Sequence, residues 1–309
     1  MINRELIRAK VVQLVYAQRQ NGSKTTDDAE KELDVSLGKA YELYKTLLYL
    51  LTEVHKYAIR KLEAVNTAAE RKGICPERMP AAEALANNAL LKQLTENDTI
   101  AEFRKSHGIW EEEIVLVKNL FTIMAESEVM TTYLESGVKS YEADRELIRK
   151  LYKKLWCDNE ELDEVLEEHC IYWNDDRHVI DSYITKTIKR YREDSTPQYE
   201  LLPAFSSELD KEFAHQLFRA AISHQDEINQ IISDNLKGWE SGRMALMDYV
   251  IVHVAIAEIL EIESIPANVT INEYINIAKV YCTPQSGGFV NGLLDHTVKK
   301  LREEGVIVK

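Results

Sequence analysis

Cysteine, histidine and carboxylate side chains are the groups in this sequence that could carry out catalysis or bind a metal. One region gathers cysteine and histidine residues, namely Cys157, His169, Cys170 and His178. Their spacing matches no zinc-binding pattern. Adjacent acids such as Glu160 and Glu161 point to different sides of a helix and cannot act together as an acid–base pair. We therefore expect no catalytic site, no metal site and no cofactor, and hence no enzyme.

The elements that carry these side chains are expected to be helices throughout. Only 11 glycines and 6 prolines interrupt 309 residues, and apolar residues recur at steps of three and four. No run of alternating β-branched residues is bounded by hairpin signals, and no glycine-rich loop has the strand–turn–helix context of a phosphate site. The sequence predicts an all-α fold.

Charge and chain breaks indicate two parts. We expect breaks at Asn21–Asp28, Gly73–Pro80, Gly137 and Glu193–Ser207. Residues 1–20 carry a net charge of +3, residues 206–309 carry −6, and residues 21–205 carry −11. We predict one domain from residues 1–20 plus 206–309, and an additional acidic helical domain from residues 21–205.

The composition suits a cytoplasmic protein. Four scattered cysteines without a CxxC motif fit a reducing compartment, and the start of the sequence lacks the features of a signal peptide. The most apolar stretch, Tyr249 to Leu260, is too short to cross a membrane and is expected to be a core helix in which His253 is a buried, hydrogen-bonded residue. A net charge of −14 favours a basic partner.

An internal repeat relates residues 142–191 to residues 208–257 at a constant offset of 66. Eight pairs are identical, namely Glu142/Glu208, Asp144/Asp210, Glu146/Glu212, Leu151/Leu217, Glu161/Glu227, Trp173/Trp239, Arg177/Arg243 and Tyr183/Tyr249. Helical periodicity alone explains matched leucines but not the matched tryptophan and arginine. We interpret the repeat as a diverged duplication of helix, short turn, helix, and a third helix that opens near the tryptophan.

The C-terminal third contains local signals for two helices. Thr270-x-x-Glu273 has the pattern of a capping box, so we expect a helix to begin at Thr270, with Pro266 ending the preceding helix. Ser286 and two glycines predict a turn before a last helix. The apolar face of that helix is expected to contain Phe289, Val290, Leu293, Leu294 and Val298.

These segments resemble the NusB family of transcription antitermination factors. The resemblance lies in Ile265-Pro266-Ala-Asn-Val-Thr270-Ile-Asn272-Glu273, then Ala278-Lys279, then Ser286-Gly-Gly-Phe289-Val290-Asn291-Gly292-Leu-Leu294-Asp295. Arg8, Gln13 and Tyr16 are similar to the family's N-terminal helix. The resemblance covers residues 4–20 and 208–302. It implies an all-helical, non-enzymatic protein that binds boxA-type RNA with the small-subunit ribosomal protein NusE, in an antitermination complex on RNA polymerase.

The resemblance also implies where the contacts lie. The implied RNA-binding residues are Arg4, Arg8, Lys10, Gln13, Tyr16, Gln285, Ser286, Phe289 and Asn291, and Glu258 is the implied partner-binding residue. Such a site combines cations for phosphates with aromatic and amide groups for unpaired bases. This chain differs from the family pattern at Glu5 and Leu6, where further arginines are expected, and at Gly287 and Gly288, where the family often has His-Lys.

Structural interpretations of the same residues remain open. Arg4 and Arg8 also fit ordinary surface charge, Tyr16 and Phe289 also fit core aromatics, and Glu258 also fits the exposed edge of its helix. Two further basic groups fit either solvated helix faces or additional RNA contacts, namely Lys186/Lys189/Arg190/Arg192 and Lys299/Lys300/Arg302. The rival function is a protein-only scaffold that keeps the fold and lacks RNA affinity. The sequence leaves the oligomeric state open.

Overall fold

The computed structural model describes residues 1–22, 26–236 and 244–308, without the side chains of residues 26 and 27. Sixteen α-helices occur in this described part, in the order α1 (Arg4–Asn21), α2 (Thr26–Lys72), α3 (Pro80–Ala86), α4 (Ala89–Glu96), α5 (Asp98–Ser106), α6 (Ile109–Glu112), α7 (Ile114–Ala125), α8 (Glu128–Ser136), α9 (Tyr141–Leu155), α10 (Glu160–His169), α11 (Arg177–Arg190), α12 (Glu208–Ser223), α13 (Gln225–Asn235), α14 (Leu246–Glu261), α15 (Ala267–Tyr281) and α16 (Ser286–Glu303).

The fold is all-α, as predicted. Over the described residues there is no strand, and the only extended pairing is an isolated parallel bridge between Ile2 and Phe205. Among those same residues, no helix has the length and apolarity that a membrane crossing needs. The predicted breaks at Gly73–Pro80, Gly137 and Glu193–Ser207 are confirmed, and α1 ends at Asn21 where the first break was predicted to begin, although residues 23–25 of that break lie outside the described residues. For example, α8 ends at Gly137, whose φ of 63° lies in the left-handed region that glycine adopts most readily.

The chain divides into two compact units. The first comprises Met1 and Lys39–Pro203, and the second comprises Ile2–Gly38 and Ala204–Lys309. In the first unit, two buried aromatic side chains hydrogen-bond to groups within the unit: the Trp110 indole donates to the Thr46 carbonyl, and the Tyr44 hydroxyl lies 2.6 Å from that of Thr187.

The second unit is built around α14. Every residue from Val250 to Ile259 is buried, and α1, α12, α13, α15 and α16 all contact this helix. His253 is buried and hydrogen-bonded, as predicted from its apolar surroundings: its Nε2 lies 2.7 Å from the Ala221 carbonyl. A helix that is apolar on all sides must be enclosed, which explains why α14 forms the centre.

The first residues of α2 belong to this second unit. Glu30 pairs with Arg219 at 2.5 Å, and the His215 ring lies 3.1 Å from Asp34. The compact units therefore change at residues 38/39 and 203/204, whereas we predicted domain boundaries at 20/21 and 205/206. Sequence patterns gave no sign of this difference because the pairing is tertiary.

The helices repeat at the offset found in the sequence. α9, α10 and α11 correspond to α12, α13 and α14, and matched apolar positions such as Leu151/Leu217 and Tyr152/Phe218 are buried in both copies. The third helix of the first copy opens four residues after Trp173, as expected. Trp239 and Arg243, the matching residues of the second copy, lie outside the described residues.

The predicted capping box at Thr270 is wrong. Helix α15 begins at Ala267 with Pro266 as its N-cap, so Thr270 lies inside the helix and is fully buried. The Thr270 hydroxyl donates to a buried carboxylate oxygen of Glu258 at 2.8 Å. Thr270 therefore does not cap the helix. Its hydroxyl forms a hydrogen bond with a charged acceptor, which is stronger than one between neutral groups.

The predicted final helix is confirmed, but the turn expected at Ser286 and the two glycines is wrong. α16 begins at Ser286, so these three residues form its first turn. Four of the five predicted face residues are buried, namely Val290, Leu293, Leu294 and Val298. Phe289 is partly exposed.

Candidate nucleic-acid interface

Helix α1 is fixed in the second unit by its own apolar stripe. The Asn3 side chain caps the helix by accepting from the Leu6 N–H at 2.9 Å. Leu6, Ile7, Val11 and Val12 are buried, and α1 packs against α12 and α14. Because the helix is held on one side, its polar residues have fixed directions.

Arg8 lies inside the protein instead of on its surface. Its Nε and Nη2 atoms each donate to Glu258 at 2.8 Å, a bidentate pair in which the arginine side chain is 4% exposed and the carboxylate 0%. Burial acts to lower the pKa of Arg8, but the hydrogen bonds and charge of Glu258, together with the electrostatic effects of Tyr274 and Glu273, outweigh it, so the pKa is raised and Arg8 is charged. This pair joins α1 to α14.

Glu258 is equally occupied. Its carboxylate also accepts from the Thr270 hydroxyl and, at 3.0 Å, from the Tyr274 hydroxyl. Glu258 thus lies in the interior and not on the exposed edge of α14. A carboxylate with these donors and no solvent exposure is a scaffold for three helices, not a surface for a partner.

Arg4 is the accessible arginine of the predicted pair. Its side chain is 40% exposed, its Nε lies 3.4 Å from Asp210, and its guanidinium lies 5.0 Å from the centre of the Phe213 ring. Arg4 and Arg8 share a helix face, as predicted from their spacing, but that face is directed toward α12 and α14.

Gln13 lies on the opposite side of α1 from Arg4, since nine residues turn an α-helix through two and a half turns. The Gln13 amide donates to the Tyr281 hydroxyl at 2.9 Å, which joins α1 to the last turn of α15. Tyr16 lies one turn further along and accepts from Gln20 at 3.1 Å. The structure brings these amide and aromatic groups together and separates them from Arg4. Lys10 is buried.

The start of α16 adjoins the same turn of α15. Gln285 is the N-cap and is exposed, whereas Ser286 is buried and lies 3.0 Å from the Thr283 hydroxyl. A Cβ placed on Gly287 would lie 3.6 Å from the Lys279 side chain, so this exposed lysine lies against the beginning of α16. Phe289 is partly exposed and Asn291 exposed on the first turns of the helix.

Lys279 and Tyr281 are the residues that sequence reasoning missed. Ala278-Lys279 formed part of the C-terminal motif, but the lysine was given no role because nothing local showed that it faces α16. The spacing of the motif could have indicated that Lys279 lies near the start of α16. Only a short connection separates α15 from α16, so the last turn of the first helix is close to the first turn of the second.

The arrangement offers binding groups and no catalytic ones. Gln13, Tyr16 and Tyr281 present amide, hydroxyl and ring surfaces suited to unpaired bases, and Lys279 supplies a cation for phosphate. Among the described residues, no group of three or more histidine, cysteine, aspartate and glutamate side chains could hold a metal ion.

Comparison with known proteins decides the family. The sequence model of the NusB family matches residues 178–299. The transcription antitermination protein NusB of Geobacter sulfurreducens is 41% identical over 95 residues, which are 31% of this chain and 69% of that protein. The chain belongs to the NusB family. The family match begins within α11, before residue 208, where the C-terminal part of the resemblance begins.

Two further NusB proteins align over the same length. NusB of Salinibacter ruber is 37% identical over 99 residues, covering 32% of this chain and 62% of the relative. NusB of Thermodesulfovibrio yellowstonii is 43% identical over 90 residues, covering 29% and 60%. The chain thus spans less than two thirds of the length of several NusB relatives. No solved structure matches it. NusB proteins are non-enzymatic antitermination factors, in agreement with the expectation from the sequence.

Proposed function

We propose that this protein is a transcription antitermination factor that binds boxA-type RNA together with the ribosomal protein NusE, within an antitermination complex on RNA polymerase. The observation that carries the proposal is the junction at the last turn of α15. There the Gln13 amide meets Tyr281, and Lys279 lies beside Gly287, so the N-terminal motif of the NusB family adjoins its C-terminal motif.

We assign the roles as follows. Gln13, Tyr16, Gln285, Phe289 and Asn291 contact bases and sugars, because they are polar or aromatic groups with exposed surface. Lys279 neutralises a phosphate, and Arg4 is a second, separate phosphate contact. Four residues position these groups from the interior, namely Arg8, Lys10, Ser286 and Glu258.

Holding RNA and NusE on one protein raises the effective concentration of each for the other. The acidic composition of the chain favours encounter with a basic ribosomal protein. No bond is made or broken, so the protein acts through assembly.

A titration tests the RNA half of the proposal. BoxA-type RNA is titrated into the protein, with and without NusE, for Lys279→Ala and for Lys31→Ala. Lys31 is an exposed lysine of α2 that lies 3.6 Å from Asp28 and serves as a matched control. We expect Lys279→Ala to weaken binding several-fold and to reduce the salt slope by about 0.7, the value for one phosphate of a single strand.

Two results would contradict the proposal. One is equal binding of boxA-type and scrambled RNA, with NusE binding intact, which supports a protein-only scaffold. The other is an equal effect of the two lysine substitutions, which would remove the α15–α16 junction from the interface.

A further inference from the structure

The first copy of the repeat carries an exposed row of cations that the proposed function does not use. Two hydrogen bonds show that helices α9 and α11 run antiparallel. Near the start of α9, the Arg145 guanidinium donates to the Tyr191 carbonyl just after α11, at 2.8 Å. Near the end of α9, the Tyr152 hydroxyl donates to Asp181 near the start of α11, at 2.5 Å. The outer surfaces of the two helices therefore form one continuous face.

We define the α9–α11 basic face by five cations and one carboxylate, namely Arg149, Lys150, Lys153, Lys186, Lys189 and Glu146. The four lysines are exposed and the other two residues are partly exposed. Electrostatic interaction with Lys189 of α11 helps to lower the pKa of Glu146 of α9, after the dominant hydrogen bonds from Arg149. The antiparallel packing of α9 against α11 places the two rows side by side.

The only carboxylate of the face is already occupied. Glu146 accepts from Arg149 at 2.5 Å and 2.7 Å, and Lys150 lies 3.9 Å away. Within the described part of the chain, no carboxylate lies in salt-bridge distance of Lys153, Lys186 or Lys189. The face is strongly positive although residues 39–203 hold 31 acidic and 23 basic side chains.

The second copy shows what happens to the equivalent row. The offset of 66 places His215 at Arg149 and Arg219 at Lys153. Both of these side chains pair with acids of α2: Arg219 with Glu30 at 2.5 Å, and His215 with Asp34 at 3.1 Å. In the first copy, Arg149 pairs within its own helix with Glu146, and among the described residues Lys153 is exposed without a salt bridge. The row therefore joins two helices in one copy and is available for a ligand in the other.

We propose that the α9–α11 basic face binds the phosphate chain of single-stranded RNA, independently of base sequence. The row from Glu146 to Lys153 is about 10 Å long at 1.5 Å per residue, and Lys186 and Lys189 widen it into a strip. An extended polyanion fits such a strip, because each phosphate gains a cation and releases condensed counterions. This inference deepens the proposed function by adding a second RNA surface, whose α9 cations Arg149, Lys150 and Lys153 precede the family match at residues 178–299 while Lys186 and Lys189 lie within it.

The experiment uses the full chain and a labelled oligouridine of about 20 nucleotides, which carries no boxA sequence. Lys150→Glu/Lys153→Glu/Lys189→Glu tests the face. The matched control is Lys105→Glu/Lys118→Glu/Lys139→Glu, which changes the net charge equally at exposed lysines elsewhere in residues 39–203. Both sets are surface substitutions, and circular dichroism verifies that each variant is folded.

We expect the face variant to bind oligouridine at least about tenfold more weakly at about 50 mM salt, and the salt slope to fall by about 2, or 0.7 for each of three lost contacts. The control variant should bind within about twofold of the unmodified protein. Unchanged oligouridine binding by the face variant would overturn the inference. It would do so even if the face were found to bind an acidic protein. An equal loss in both variants would overturn it too, because the effect would then be general charge repulsion.

The two proposals fail separately. Loss of boxA discrimination with intact, face-dependent oligouridine binding contradicts only the proposed function. Intact boxA discrimination with face-independent oligouridine binding contradicts only this inference.

Discussion

At the scale of single residues, the Arg8–Glu258 pair determines how α1 is held in the second unit. Arg8→Met removes the bidentate arginine partner of the buried Glu258 carboxylate, which also accepts from the Thr270 and Tyr274 hydroxyls. We expect this substitution to lower the free energy of unfolding by about 3–5 kcal/mol. Arg8→Met combined with Glu258→Leu should recover part of the loss, because the unpaired buried charge is removed although the Thr270 and Tyr274 hydroxyls lose their acceptor.

Urea denaturation followed by circular dichroism measures both effects, with Arg4→Met as the control. The Arg4 pair with Asp210 is partly solvated and should be worth less than about 1 kcal/mol. Equal stability of Arg8→Met and the unmodified protein would show that the pair does not hold α1. The same data separate a fold defect from an RNA defect at Arg8.

A second residue-scale prediction concerns pH. Burial lowers the pKa of His253 from 6.5 to about 4, and Arg19 near its Nδ1 opposes protonation further. The folded state thus favours the neutral ring, and between these pH values the unfolded chain binds more protons, so stability falls as pH falls.

From pH 7 to pH 5 this one histidine should remove roughly 2 kcal/mol of unfolding free energy. Denaturation of the unmodified protein and of His253→Gln at both pH values measures its share, since all other groups titrate alike in the two proteins. A pH dependence that is the same in both would contradict the assignment.

At the scale of elements, the start of α16 has space for a lysine at Gly288, where the NusB family pattern often has one. Gly288 is exposed, and a Cβ added there would meet no heavy atom within 4 Å. Gly288→Lys should change helix stability little, since a gain in helix propensity of up to about 1 kcal/mol is offset by a cation in the first turn, at the positive end of the helix dipole. It should also strengthen binding of boxA-type RNA several-fold at low salt by adding one phosphate contact.

Gly288→Ala separates these two effects, because it supplies the helix propensity without the charge. Thermal unfolding measures the first effect and RNA titration at two salt concentrations measures the second. Equal RNA affinity of the lysine and alanine variants would place the first turn of α16 away from the RNA.

At the scale of the whole molecule, the net charge of −14 should govern the rate at which the proposed basic partner NusE associates. Electrostatic attraction raises association rates and is screened by salt, with a Debye length of about 10 Å at 0.1 M. Stopped-flow measurements should show the association rate falling by about tenfold or more between low and high salt, with a much smaller change in dissociation. A rate independent of salt would exclude steering by the acidic chain.

The sequence by itself determined the helical fold, the main breaks, the repeat and the family. These features are local: apolar periodicity specifies a helix, glycine and proline end it, and motifs such as Ser286 to Asp295 survive without reference to the rest of the chain. The sequence also predicted the burial of α14, because a helix without a polar face is stable only in the protein interior.

Only the tertiary structure decided which groups of the candidate site face outward. A helical wheel groups Arg4 with Arg8 and puts Gln13 opposite, but it does not say which side is covered. Arg8 became a structural residue because its partner Glu258 lies 250 residues away in sequence, and Lys279 became a site residue because Gly287 adjoins it. Charge satisfaction inside a protein depends on contacts between distant segments, and spacing along the chain carries no record of them.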